Sequence, residues 1–350
     1  MDKVILKAGE LDDYLTSDDK DILKKAGLLY DRALKLFPDI KNGNTGAKND
    51  LIAISGEMGV LMRETCKKNS RVHIYSMDSS SENHFEASRV ISKLRDENTD
   101  NQEFVYYIQR SYEMLFRRAW DVHTSPKSHL FIKTPVSYPV QNYAVHKIAD
   151  IENSICNTVM CVMLRAALLP SMIVSKEIEE YSSSGYITPF SLFKIYRNDE
   201  KKENDMEYII DLEKSYVNYS SLDGKDWVFA DPMNATGGSF VTVVKFLIDK
   251  GIKPRSVKIL NVISALKGSL TAVRALENCN IYTLWMDGVL NKDSYIMPGL
   301  GDAGDRINGR DNESNPRNII QLLADYGSGI ANLYRSQYGE IEKSMTAAGK

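Results

Sequence analysis

The stretch Trp227-Val228-Phe229-Ala230-Asp231-Pro232-Met233-Asn234-Ala235-Thr236-Gly237-Gly238-Ser239 decides how the rest of the sequence is read. Four apolar residues run into an acid. A loop of small residues follows, and an amphipathic run over residues 240–249 then reads as a helix. Small residues let backbone N–H groups close around an anion, and a helix N-terminus adds positive partial charge there. Thr236 and Ser239 add hydroxyl donors, and a carboxylate at Asp231 can accept from two ribose hydroxyls. The pattern describes a sugar-phosphate site. A plain strand-turn-helix corner is the alternative for a motif this short.

The flanking sequence repeats the same unit. Short apolar strands are predicted over 159–164, 192–196, 227–230, 257–263 and 281–286, with helical stretches after several of them. That alternation indicates an α/β domain with a mainly parallel sheet flanked by helices.

The first seventy residues read as helical. Ser17-Asp18 is the expected cap of a helix with Ile22, Ala26, Leu29, Ala33 and Leu36 at helical spacing. Pro38 and Asn42-Gly43-Asn44-Thr45-Gly46 are expected to end it, and a second helix is expected over 51–66. Gly46-Ala47-Lys48 has the wrong glycine spacing for a phosphate loop and is expected as an ordinary loop. Residues 72–75 read as a short strand. Residues 83–121 read as helical, with Phe104, Tyr107, Ile108, Leu115 and Ala119 on one stripe. The polar run 197–205 is either a solvated turn or a hairpin over an active site. The tail opens with a loop over 309–315, then Pro316 at a first helical position. Ile319, Leu322, Leu323, Tyr326, Ile330, Leu333 and Tyr334 form its stripe.

Composition sets the outer limits. The 350 residues carry 44 Lys and Arg against 47 Asp and Glu, a net charge of −3, which argues against a protein dedicated to nucleic acid. The first residues lack the long apolar stretch of a secretory signal, and the apolar run from Val159 to Val174 is broken by Arg165 and Pro170, so no membrane span is expected. Cys66, Cys156, Cys161 and Cys279 lack zinc-site spacing and read as free thiols in a reducing cytoplasm.

Asp231 to Ser239 resembles the 5-phosphoribosyl 1-pyrophosphate (PRPP) motif of type I phosphoribosyltransferases, in the form used by the uracil phosphoribosyltransferase branch. Tyr295-Ile296-Met297-Pro298-Gly299-Leu300-Gly301-Asp302-Ala303-Gly304-Asp305-Arg306 is similar to that branch's uracil-binding segment. Three glycines and a proline leave main-chain N–H and C=O groups to meet the edge of a planar base. Leu94-Arg95-Asp96-Glu97-Asn98-Thr99, Met163-Leu164-Arg165-Ala166-Ala167-Leu168 and Ile195-Tyr196-Arg197-Asn198 resemble further family segments, in family order.

The resemblance covers residues 71 to about 310. It implies a phosphoribosyltransferase domain between a helical N-terminal extension over 1–70 and a helical tail over 311–350. It also implies transfer of ribose phosphate from PRPP to uracil, with Mg²⁺ carried on PRPP and no side-chain metal ligand assigned. A homo-oligomer, dimer or tetramer, in the cytoplasm is expected, with no nucleic acid or membrane partner. By motif position, Asp231 takes the ribose hydroxyls, Ala235, Thr236, Gly237, Gly238 and Ser239 the 5′-phosphate, and Arg165 and Arg197 the pyrophosphate. Ile296, Gly301 and Ala303 meet uracil. Asp302 sits between base and ribose, and with Arg165 is the expected catalytic group.

The sequence also departs from the family pattern. Ala167 stands at a usual glycine, and Asn198 at a usual acid. Asp211 stands at a usual lysine, Asn234 at a usual apolar residue, and Lys267 at the glutamate of an Ala-Ala-Pro-Glu-Gly turn. Two other readings stay open at this point: a transferase for another heterocycle, and a non-catalytic PRPP or UMP sensor or scaffold.

Overall fold

The structure is a computed structural model. It describes residues 3–78, 81–138, 140–198, 200–310, 317, 321–322, 324–325, 327–329 and 331–332. Eight strands make up the long path of its main sheet: β1 (Lys3–Lys7), β2 (Val72–Ile74), β3 (Thr158–Leu164), β4 (Phe190–Arg197), β5 (Glu207–Tyr216), β6 (Asp226–Ala230), β7 (Ser256–Ala265) and β8 (Cys279–Asp287). They lie in the order β1-β5-β4-β3-β6-β7-β8-β2, and the two-residue strand Met233–Asn234 joins beside β7 as a ninth. Pairing is parallel from β4 across to β2. It turns antiparallel where β5 meets β4 and where β1 meets β5. This is the mainly parallel α/β sheet that the alternating pattern predicts.

The central strands are apolar because both their faces are covered. All five residues of β6 and six of the seven in β3 are buried. Besides four helices of four or five residues, the described helices are α1 (Ser17–Leu34), α2 (Thr45–Lys68), α3 (Ser81–Arg95), α4 (Asn101–Ala119), α5 (Leu168–Tyr181), α6 (Gly238–Asp249), α7 (Leu266–Ala275) and α8 (Ala303–Asn308). Helices α4 and α5 pack on each other and on β3, β7 and β8, while α6 and α7 pack on each other and on β5, β7 and β8. Every predicted strand of the α/β region is present, each a residue or more longer than its apolar run.

The N-terminal region differs from its sequence reading. It opens with a strand, β1, that joins the main sheet beside β5. Lysines at both ends of this five-residue edge strand hide its apolar centre, Val4-Ile5-Leu6. Helix α1 is capped by Thr16 rather than by Ser17-Asp18. The Thr16 hydroxyl accepts from the Asp19 N–H at 3.1 Å, and the Asp19 carboxylate accepts from the Thr16 N–H at 3.1 Å, a reciprocal capping box. Helix α1 stops at Leu34, and Pro38 lies inside a separate short helix, Phe37–Lys41. Helix α2 starts at Thr45, because the Asn44 side chain accepts from the Ala47 N–H at 3.2 Å, so Gly46-Ala47-Lys48 is helical and not a loop.

A second antiparallel hairpin, Lys127–Lys133 with Tyr143–Ala149, stands apart from the main sheet and has no counterpart in the sequence reading. In the tail, Leu322 is helical and buried. Pro316, Ile319, Leu323, Tyr326, Ile330, Leu333 and Tyr334 lie outside the described residues, as does Asp199 of the polar run.

Asp19 also anchors the extension to the core. Its buried carboxylate accepts from Arg274 Nε at 2.9 Å and Nη2 at 3.1 Å. Burial pushes its pKa up, but the bonds from Arg274 and Thr16 outweigh it and hold the group below the usual aspartate value. Asp19→Ala is expected to destabilise the protein by about 2–3 kcal/mol in denaturant unfolding, through loss of a cap and of a partly buried ion pair. The wild-type contribution is present above the unfolded aspartate pKa. It is lost as pH falls through the lower folded value, so the two proteins converge in acid.

Candidate functional site

The strand order opens a pocket at the carboxyl ends of the parallel strands, where ligands of open α/β sheets collect. It encloses about 630 Å³. The loop Ala235 to Ser239 and Asp231 line one side; Ile296, Gly301, Asp302 and Ala303 line another; Arg165 and Arg197 also face it. Every residue singled out in the sequence for binding or chemistry is therefore on one cavity.

The small-residue loop is shaped by close backbone approach. Gly237 has φ +79°, and a Cβ there would lie 2.9 Å from Gly268 O and 3.3 Å from Ala272 N. Gly268 returns the constraint, since its own Cβ would lie 2.6 Å from Ala235 O. Glycine is required at both positions. Gly238 begins α6 with the Tyr208 ring packed so closely that no side chain fits there. The Gly238 N–H donates to Thr236 Oγ1 at 3.3 Å, and the Tyr208 and Thr236 hydroxyls share a hydrogen bond. The loop and the first turn of a twelve-residue helix thus form a narrow cradle suited to a phosphate group.

Asp231 follows β6 at the cradle's edge. Its Oδ1 accepts from the Met233 N–H at 3.1 Å, and its carbonyl accepts from Asn261 Nδ2 at 2.7 Å. Burial pushes the carboxyl up to about 7, with the Met233 bond opposing it. Asn234 beside it is buried, and both its side-chain polar atoms lack a hydrogen-bond partner.

The 295–306 segment is held from behind by two arginines. Asp287, at the end of β8, accepts from the Gly299 N–H at 2.9 Å through Oδ2 and from Arg95 Nη2 at 2.6 Å through Oδ1. Arg306 donates to Leu300 O at 2.9 Å, Asp96 O at 2.8 Å and Thr99 O at 3.3 Å, and also to Leu94 O. Its guanidinium carbon lies 4.1 Å from the Phe104 ring centre. The 94–99 turn therefore serves as a backing for the glycine-rich segment. Asp302 Oδ1 accepts from the Asp305 N–H at 2.9 Å and starts α8.

Both pocket arginines already have partners. Arg165 Nη2 donates to Asp305 Oδ1 at 2.7 Å and Nη1 to Gly309 O at 3.0 Å. Arg197 Nη1 donates to Ser294 O at 3.4 Å, and its guanidinium carbon lies 5.3 Å from the Tyr295 ring centre. Two departures from the family pattern prove to be accommodated. Ala167 has φ −79°, a value open to any residue, so its methyl strains nothing. Asn198 donates to Glu207 Oε2 at 2.9 Å across the β4–β5 hairpin.

The model of the uracil phosphoribosyltransferase family matches residues 81–309, about two thirds of the chain. The chain belongs to the uracil phosphoribosyltransferase family. It is 31% identical over 215 residues to a uracil phosphoribosyltransferase of Campylobacter fetus, covering 61% of this chain and 89% of that protein. It is 32% identical over 220 residues to one of Caldanaerobacter subterraneus, covering 63% of this chain and 91% of that protein. A solved structure of a protein from Aquifex aeolicus aligns with TM-score 0.46 and 21% identity, over 64% of this chain and 94% of that one.

Sequence reasoning missed Tyr208, Asp287 and the backing role of Arg306. Arg306 sits in the quoted base segment, but three of its four carbonyl partners, at Leu94, Asp96 and Thr99, lie about two hundred residues away. Tyr208 and Asp287 sit at a strand start and a strand end, and alternation marks neither as part of the site.

The raised Asp231 pKa has a cost for the ligand-free protein. A carboxyl held above its unfolded value binds more protons folded than unfolded, so stability falls as pH rises from about 4 to about 7. Asp231→Asn is expected to match wild type near pH 4 and to melt a few degrees higher at pH 8, read by thermal melts without ligand.

Proposed function

We propose that this pocket transfers the ribose 5-phosphate group of PRPP to uracil, giving UMP and pyrophosphate. The observation that carries the reading is the placement of an acid-tipped phosphate cradle and a main-chain-rich base segment on one cavity. Family membership supports the same chemistry.

In this reading the 5′-phosphate takes the N–H groups of Ala235 to Ser239. The ionised Asp231 accepts from the ribose hydroxyls. Ile296, Gly301 and Ala303 present main-chain groups to the edge of uracil. The bond from C1 to the pyrophosphate oxygen breaks, the bond from C1 to the ring nitrogen forms, and that nitrogen gives up its proton. Positive charge builds on the ribose as the leaving group departs, so the protein's work is orientation and charge stabilisation. Asp302 sits between base and ribose, where a carboxylate favours loss of the proton from nitrogen. Arg165 and Arg197 receive pyrophosphate oxygens, Arg165 by exchanging its bond to Asp305.

Mg²⁺ fits this pocket as a cation carried on the substrate. Among the described residues no group of three or more His, Cys, Asp or Glu side chains could hold a metal. Its shell would come from phosphate oxygens and water, and it would neutralise charge on the departing pyrophosphate.

The exposed hairpin supports a homo-oligomer. Phe131 is 68% exposed and pairs with Val145, itself 54% exposed. Apolar side chains grouped on a projecting arm favour burial against a second copy. Phe131→Glu is expected to shift the protein toward monomer in analytical ultracentrifugation; an unchanged sedimentation coefficient would remove the hairpin from the interface. Cys161 and Cys279 are buried while Cys66 and Cys156 are only partly so, and among the described residues no disulfide joins them, which suits a reducing compartment and supports a cytoplasmic protein. Among the described residues no helix is long and apolar enough to cross a membrane.

The deciding experiment is pyrophosphate release with PRPP, Mg²⁺ and a panel of bases. Release with uracil is expected, falling about a hundredfold or more in Asp231→Asn, as for the loss of a group acting on the transition state. Wild-type PRPP affinity is expected to weaken as pH falls below about 7, where Asp231 is protonated, with no such slope in the variant. No release with any base, while PRPP or UMP still raised the melting temperature, would leave a nucleotide-binding protein in place of an enzyme.

A further inference from the structure

The N-terminal extension reaches the edge of the pocket. β1 runs antiparallel beside β5, with Lys3 opposite Asp211 and Leu6 opposite Tyr208. The Ala8 N–H donates to Met206 O at 2.8 Å, just before β5 begins. The link continues through one lysine. Lys267 Nζ lies 3.0 Å from Asp12 Oδ1 in the extension and 2.8 Å from Glu203 Oε1 at the hairpin tip. Its side chain is only 16% exposed, so solvent screens these pairs less than surface pairs.

The far side of the same hairpin is tied to the base segment. The Glu203 N–H donates to Lys292 O at 3.0 Å, Lys202 Nζ lies 2.6 Å from Asp293 Oδ1, and Arg197 reaches Ser294 O. The β4–β5 hairpin is therefore held between two structures, and among the residues it brings to the pocket are Arg197 and Tyr208. Tyr208 in turn meets the phosphate cradle at Thr236 and Gly238.

We propose that residues 3–12 are a positioning clamp for the active-site hairpin, working through the β1–β5 ladder and the Asp12–Lys267–Glu203 chain of charges. The clamp sets Arg197 and Tyr208 in the geometry the pyrophosphate and 5′-phosphate of PRPP require. It rests on the proposed reaction for its kinetic consequence, but not for its structural one. One departure from the family pattern, Lys267, is the charge that meets Asp12. A strand serving only to cover the β5 edge would not need it.

The test reverses charge at the joint in the full chain. Asp12→Lys is expected to raise the KM for PRPP roughly tenfold while kcat at saturation changes little, as expected when a positioning ion pair is broken. Amide exchange over residues 200–208 should speed up in the same variant. Exchanging all three charges together (D12K, E203K and K267E) is expected to bring both readouts back toward wild type, which a merely destabilised fold would not do. Unchanged KM and unchanged exchange in D12K, or no recovery in the triple variant, would overturn the clamp. Exchange is measured without PRPP as well. A protein that never bound PRPP would defeat the proposed reaction and leave the clamp to stand or fall on exchange alone.

Discussion

The contact on which the site depends is backbone on backbone. The loop after β6 and the turn after β7 meet at Gly237 and Gly268, with no room for a side chain on either. This approach sets Gly237 in the left-handed region and turns the chain into α6. It also fixes what stands next door. Lys267 precedes Gly268, so the turn that shapes the cradle also aims an ammonium at the hairpin tip and the extension. Cradle, hairpin and extension thus share one anchor.

The electrostatics of the ligand-free pocket are held in reserve. Burial pushes the Asp231 carboxyl up to about 7, and the Arg165 guanidinium is paired with Asp305. Both groups stand on the pocket wall in fixed positions. The main chain of the base segment is tied down in advance, through Asp287 at Gly299 and Arg306 at Leu300. A planar base offers few groups to grip, so selectivity there needs fixed donors and acceptors, whereas phosphates are gripped by charge and tolerate adjustment.

Most of the lining of this pocket was legible because two of its stretches are local. Asp231 to Ser239 and Tyr295 to Arg306 are each continuous, and glycine, proline and aspartate in such runs have few structural meanings. The α/β sheet was legible for a related reason: strands buried on both faces are apolar throughout, as β6 is. What escaped is non-local or small. β1 is five residues with lysine at both ends, so it carries almost no periodic signal. The Lys127–Lys133 and Tyr143–Ala149 hairpin is exposed on both faces, and without a buried face there is no alternation to read. Thr16 was passed over for Ser17-Asp18 because capping residues run together there, and only the Asp19 bond distinguishes them. Asp287 and Tyr208 owe their roles to partners far away in sequence.

The charge departures show how a residue can be misread when its partner lies outside the matched region. Against the family pattern, an acid at Asp211 looks like a lost cation in a mobile arm, and a lysine at Lys267 looks like a damaged turn. Lys267 meets Asp12 of the extension, while the Asp211 carboxylate, in register with Lys3, pairs with Lys214 in its own strand. Burial alone would lower the Lys267 ammonium, yet Glu203 and Asp12 hold it above the usual lysine value. The net effect of these contacts is therefore to favour the charged form. A cation removed from the hairpin and one added at the turn leave the active-site edge still held by charge, with the first dozen residues of the chain now supplying part of the hold. On that argument the extension is part of what holds the hairpin in place.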